Sequence, residues 1–229
     1  MNELPILVLG MHRSGTSSLA GSLEEAGLHL GEVVTKAQHN LKGNRESLAV
    51  RDLNDRLLEH NEGAWDRPPA TVVWDDDFRT QRAAVIAAHA ADWRWGFKDP
   101  RTLLTLAFWQ EGLPDLALVG TFRHPLAVAA SLERRDGLAT PVGLRLWEAY
   151  NERLVAAYDA SPFPLVSFDL PPDEYAAAVA ATAKALDLPG EPGFFSEELR
   201  HHGPVDEAPL PASVTALYTR LQALAASHG

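Results

Sequence analysis

Apolar positions along this chain follow two periods, and the switches between them outline the elements. Ile6, Leu7, Val8 and Leu9 form an unbroken apolar run between Pro5 and Gly10, the pattern of a strand buried on both faces. From Thr16 the spacing becomes helical, with Leu19, Leu23 and Ala26 on one face and Gly27 at the stop position. A second helix is predicted from Ser47, with Leu48, Leu53, Leu57 and Leu58 as its apolar face, and a third over the alanine-rich stretch Arg82 to Ala91. Further strands are predicted at Arg94 to Lys98, Leu116 to Phe122 and Leu165 to Phe168. Helices are predicted at Leu103 to Trp109 (ended by Pro114), from Pro125 through Val128 and Leu132, and at Leu144 to Tyr158, Tyr175 to Leu186 and Ser213 to Ala226. Strands alternating with helices give an α/β fold, a P-loop-type parallel sheet flanked by helices on both faces.

Composition narrows this picture. With 229 residues, 46% of them hydrophobic, no repeats and no linker tract, the chain is expected to form one domain, residues 1–229. Thirty-one acidic against 20 basic residues give a formal charge of −11, which argues against nucleic acid as a partner while leaving room for a local basic cleft. There is no cysteine, so disulfides, thiolate metal sites and thiol catalysis are excluded. The first apolar run is one strand long and lacks a basic lead-in, so neither a signal peptide nor membrane insertion is expected, and the default location is cytoplasmic. Oligomeric state is left open.

The candidate chemistry begins where the first strand ends. Gly10 to Ser17 reads G-M-H-R-S-G-T-S, a glycine-punctuated loop between strand and helix, where N–H groups and the helix dipole converge on an anion. The loop nearly fits the ATP-binding pattern G-x-x-x-x-G-K-[ST]. Thr16 stands in the lysine position, however, and the loop's cation is Arg13. Two more polar clusters follow predicted strands: Lys98, Asp99 and Arg101 in G-F-K-D-P-R-T, and Arg123 with Ser131 eight residues later in F-R-H-P-L-A-V-A-A-S. Carboxyl ends of parallel strands are where open α/β sheets place their chemistry. The acidic trio Asp75 to Asp77 reads as a helix cap rather than a metal site. His201 and His202 are adjacent, point apart on a helix, and read as solvated surface.

These motifs together resemble the sulfotransferases that use 3′-phosphoadenosine 5′-phosphosulfate (PAPS), particularly their bacterial branch. Further echoes are G-N-R-E at 43 to 46, N-D-R-L-L at 54 to 58, W-D-R-P at 65 to 68, F-D-L at 168 to 170 and E-E-L-R-H-H at 197 to 202. The resemblance implies a P-loop fold in which His12, Arg13, Ser14, Gly15, Thr16 and Ser17 bind the 5′-phosphosulfate, and Arg123 and Ser131 grip the 3′-phosphate. It implies PAPS as donor, no required metal, and a small-molecule, lipid or carbohydrate acceptor. Sulfuryl transfer should resemble phosphoryl transfer, with a loose in-line transition state and charge growing on the leaving oxygen. Arg13 and Lys98 are the candidates to stabilise that charge. For the base that takes the acceptor proton, Glu46 leads in its G-x-x-E context, with Asp99 and His39 in reserve. Trp65 is a candidate for stacking on the acceptor. Two departures are plain: Pro100 stands where the animal branch has its histidine base, and that branch's late Arg-Lys-Gly segment has no counterpart. The alternatives are a P-loop kinase or related enzyme using ATP, which Thr16 in the lysine position disfavours, and an idle binder of the bisphosphate product.

Overall fold

The computed structural model describes residues 4–36, 43–89, 93–194 and 209–227. In chain order the elements are β1 (Ile6–Leu9), α1 (Thr16–Glu25), α2 (Leu48–His60), α3 (Asp76–His89), β2 (Gly96–Lys98), α4 (Thr102–Gly112), β3 (Ala117–Phe122), α5 (Pro125–Asp136), α6 (Thr140–Ala160), β4 (Leu165–Ser167), α7 (Pro172–Ala185) and α8 (Ala212–Ala226). The four strands form a parallel sheet in the order β2-β1-β3-β4. Leu7 lies opposite Phe97 and Leu118, and Val8 opposite Lys98 and Val119. From β1 the chain moves outward to β2, then crosses to β3 and β4 on the other side. That reversal places a crevice at the carboxyl ends of β1 and β3, where ligands bind in open α/β sheets.

The unbroken apolar run of β1 follows from burial on both faces. Leu7 and Leu9 point into a core with Phe97, Phe108, Trp109 and Trp147, covered by α2 to α6 and α8. Ile6 and Val8 point the other way, against Leu19 and Leu23 of α1 and Tyr175 and Val179 of α7. This is the helix-flanked parallel sheet that the hydrophobic pattern predicts. Inside the larger core, Asn54 Oδ1 accepts hydrogen bonds from Thr105 Oγ1 (2.8 Å) and Trp109 Nε1 (2.9 Å). Those bonds meet the polar demands of a fully buried indole.

Turn and cap chemistry sets the element ends. Asp75 Oδ1 accepts from the backbone N–H groups of Asp77 and Phe78 at the start of α3, so this member of the acidic trio is a helix cap. Pro125, like the prolines opening α6 and α7, occupies the first turn of its helix, where a missing N–H costs nothing. Several boundaries differ from the sequence reading. Leu48, expected on the apolar face of α2, is 50% exposed, and Val50 is buried instead. Arg94 has φ 56° and lies outside β2, which begins at Gly96. The helix expected to reach Ala91 starts earlier, at Asp76, and is described to His89; positions 90–91, like His39, His201 and His202, lie outside the described residues. Among the described residues no helix is long and apolar enough to cross a membrane.

The contrast along α2 generates a prediction. Leu53 is fully buried and Leu48 half-exposed. Leu53→Ala should cost about 2–5 kcal/mol in urea unfolding, and Leu48→Ala no more than about 0.5 kcal/mol. Equal losses would contradict this packing.

Candidate active site

The β1–α1 loop closes as tightly as it does because of two glycines. Gly10 has φ 150°, and a Cβ there would lie 2.6 Å from the Thr121 carbonyl oxygen. Gly15, at φ 86°, sits against the Phe168 ring, 2.3 Å from where its Cβ would be. No larger residue fits either position without displacing β3 or Phe168. Gly15 is also the N-cap of α1, which has no side-chain cap and no acid in its first turn. The first N–H groups of α1 therefore meet no side-chain acceptor at the cap, and the positive end of the helix dipole is not neutralised. Ser14 adds a buried hydroxyl with no hydrogen-bond partner among the described residues. Backbone and side chain together form an anion cradle.

Arg13 joins that cradle to the end of β3. Its φ of 66° lies in the left-handed region, a conformation that costs a non-glycine residue about 1 kcal/mol or more. In that pose its Nε donates a 2.7 Å hydrogen bond to Ser131 Oγ, 118 residues away on α5. Arg123, just beyond β3, reaches back toward the Arg13 carbonyl oxygen (3.5 Å). Its guanidinium also lies over the Phe168 ring, with Nε 3.8 Å from Asp169 Oδ1. Asp169 is thus a partner of Arg123 and also accepts from the backbone N–H of His124. Burial, together with the neighbouring Arg135 and Arg123, lowers the Arg13 guanidinium to about 10. An arginine bonded to a neutral hydroxyl among like charges is short of negative charge.

The opposite wall comes from β2 and the loop before α2. Lys98 is 1% exposed; its ammonium donates to Glu46 Oε1 at 2.7 Å and to Ser17 Oγ at 3.4 Å. Ser17 Oγ in turn donates to the Asn44 carbonyl (3.0 Å). Asp99 lies deeper, fully buried, and accepts from the backbone N–H (2.7 Å) and the guanidinium (3.2 Å) of Arg101. Burial pushes its carboxyl above the usual range, and Arg101 pulls it back. Arg101 is also paired with Asp55.

These walls enclose one cavity of about 330 Å³. It brings together His12, Arg13, Gly15, Thr16, Ser17, Glu46, Lys98, Arg123 and Ser131; Ser14 and Asp99 stand behind its surface. Trp65, Arg101, Arg135, Phe168 and Phe194 also line it. Trp65 is half-buried at the cavity wall. His12 packs on it at 4.8 Å and the Arg135 guanidinium lies 5.3 Å from its centroid. His12 is buried, with no hydrogen-bond partner at Nε2 among the described residues. Burial above all, then Arg101, Arg135, Lys98 and Arg13, holds its pKa well below the ordinary histidine value, so the imidazole is neutral at pH 7. Arg135 and Phe194 carry no motif of their own; only helical spacing from Ser131 marks Arg135 in the sequence. Among the described residues no group of His, Asp and Glu side chains is arranged to hold a metal ion.

No protein-family model matches the chain, and no curated protein sequence matches it. Two solved structures resemble it over nearly their whole lengths. The sulfotransferase domain from the curacin biosynthetic pathway aligns with a TM-score of 0.55 at 14% identity, covering 96% of this chain and 98% of that one. The sulfotransferase domain from the Synechococcus PCC 7002 olefin synthase aligns with a TM-score of 0.52 at 16% identity, covering 96% of each. The chain therefore has a sulfotransferase-like fold.

The buried imidazole predicts a pH dependence. His12 in the unfolded chain takes up a proton near its ordinary value of 6.5, whereas in the folded chain it resists until well below that. Below about pH 6.5 the unfolded state binds more protons, so its contribution to stability falls by up to about 1.4 kcal/mol per pH unit until the folded pKa is reached. The urea midpoint of the wild type should drop from pH 7 to pH 5.5 more steeply than that of His12→Gln. Parallel slopes would show that His12 is not shielded from protonation.

Proposed function

We propose that this chain is an enzyme that transfers a sulfuryl group from PAPS to a hydroxyl or amine of a small-molecule, lipid or carbohydrate acceptor. The observation that carries the reading is the 2.7 Å bond from Arg13 Nε to Ser131 Oγ. It draws the β1–α1 cradle and the Arg123/Ser131 pair into one cavity, as a donor with phosphates at both ends of its ribose requires. The fold is consistent with this reading. When bound, PAPS supplies the activated sulfur–oxygen bond.

The residues present suit that donor. The N-terminal N–H groups of α1, with Ser14 and Ser17, hold the phosphosulfate end, and Gly10 and Gly15 keep the space clear. Arg123 and Ser131 hold the 3′-phosphate. Arg13 and Lys98 oppose the negative charge that develops on the leaving oxygen, and the burial of the Lys98 ammonium strengthens its action there. Glu46 takes the acceptor proton. In the resting site that carboxylate is paired with the Lys98 ammonium; once the ammonium turns to the donor, the carboxylate is released to accept from the acceptor hydroxyl. His12 stays neutral beside them and adds no further cation. Thr16, in the lysine position of an ATP-binding loop, offers no ammonium to the outer phosphates of ATP, and Lys98 enters from a different strand.

Thermal unfolding with ligand panels tests this reading. Adenosine 3′,5′-bisphosphate at ~100 times its dissociation constant should add about 2.7 kcal/mol of stability. ATP with Mg²⁺ should add far less, and Arg123→Ala should lose most of the bisphosphate effect. Stabilisation by ATP with Mg²⁺ and none by the bisphosphate would replace this reading with that of a kinase.

A further inference from the structure

Two arginines lie in the last turn of α5, and they are not alike. Arg134 is exposed on the outer surface, whereas Arg135 is about three-quarters buried (its side chain 24% exposed) and lines the cavity. Arg135 lies four residues after Ser131, one turn along the same face of the helix. Its guanidinium rests 5.3 Å from the Trp65 ring centroid, and its Nε bonds Asp136 Oδ2 at 2.7 Å. Trp65 is itself fixed: the Tyr150 hydroxyl donates to its carbonyl oxygen at 2.8 Å, and the His12 ring packs on its indole. A stacked guanidinium held through Nε has a set orientation, so little freedom is lost when its remaining N–H groups meet an anion. Among the charged neighbours that disfavour the Arg13 cation, Arg135 contributes most, ahead of Arg123. Arg13, Arg123 and Arg135 thus line the same cavity as Ser131, close enough for Arg123 and Arg135 to act on the Arg13 charge.

We infer that Arg135 is a third ligand of the phosphate gripped by Arg123 and Ser131, and that Trp65 is the platform that aims it. The inference rests on the proposed donor site and deepens it. It accounts for the missing Arg-Lys-Gly segment: the charge that segment would bring from late in the chain is brought here by the last turn of α5. It also reassigns Trp65, whose ring meets Arg135 and His12, from acceptor stacking to positioning. A basic residue in a last helical turn is ordinarily explained by the helix dipole alone. That explanation covers Arg134 equally, so Arg134 is the natural control.

Calorimetric titration with two nucleotides separates the possibilities. Adenosine 3′,5′-bisphosphate carries the phosphate in question, and adenosine 5′-monophosphate lacks it. In Arg135→Gln the bisphosphate should bind about 10- to 100-fold more weakly, the usual worth of a hydrogen bond between charged groups. The monophosphate should stay within about twofold, as should both ligands in Arg134→Gln. Trp65→Leu should show the same selective loss to a smaller degree, and Arg135→Lys, which keeps charge without the planar stack, should recover only part. Equal weakening of both nucleotides in Arg135→Gln would mean general attraction or altered structure and would overturn the inference, as would unchanged bisphosphate binding. A wild-type protein that binds neither nucleotide would instead overturn the donor site itself.

Discussion

Positive charge withdrawn from water at the carboxyl ends of β1, β2 and β3 is the constraint around which this molecule is arranged. Six basic side chains, Arg13, Arg51, Lys98, Arg101, Arg123 and Arg135, line the cavity, against two acids, Glu46 and Asp136. The chain as a whole carries a formal −11, so the cavity reverses the sign of the molecule locally. Desolvating that many cations is unfavourable unless each finds a partner. Lys98 has Glu46 and Arg101 has Asp55 and Asp99. Arg13 has a hydroxyl. On the proposed reading, that asymmetry is where the donor's negative charge acts, beside the α1 N-terminus, which has no side-chain cap.

The scaffold serves this arrangement through a few close approaches. Gly10 and Gly15 let the loop lie flush against Thr121 and Phe168, which brings Arg13 within reach of α5. The strand order sets the crevice between β1 and β3, so a residue just past each strand faces its counterpart across it. Aromatic side chains then fix the cations: Phe168 under Arg123 and Trp65 under Arg135. Held this way, and paired with Asp169 and Asp136 respectively, these guanidinium groups keep their direction.

Much of this was legible in the sequence, for physical reasons. A strand buried on both faces has to read as an apolar run, and a loop that tight needs glycine, so β1 and the cradle announce themselves. The helix positions followed from period, yet Leu48 misled because an apolar residue on the first turn of a helix need not face the core. The pairings that define the site were less visible. Nothing in the periodicity joins Arg13 to Ser131 or Lys98 to Glu46; both are contacts between distant segments created by the parallel sheet. Only the resemblance placed those residues near one another. A basic residue in a last helical turn has an ordinary explanation, so the four-residue spacing from Ser131 is a faint sign of Arg135, and its difference in burial from Arg134 exists only in three dimensions. Trp65 stands out in the sequence by its Pro-rich loop, but its contacts with His12 and Arg135 cannot be read from its neighbours in the chain.

The central claim is that Arg13 is held for a ligand at some expense to the fold. Urea unfolding of Arg13→Met, with and without adenosine 3′,5′-bisphosphate, tests it most directly. Removing the cation from among like charges, with the backbone conformation kept, should leave the ligand-free protein as stable as the wild type or more so, while most of the bisphosphate-induced gain disappears. A ligand-free protein weakened by more than about 1 kcal/mol, with the bisphosphate gain intact, would make Arg13 a structural residue and contradict the account.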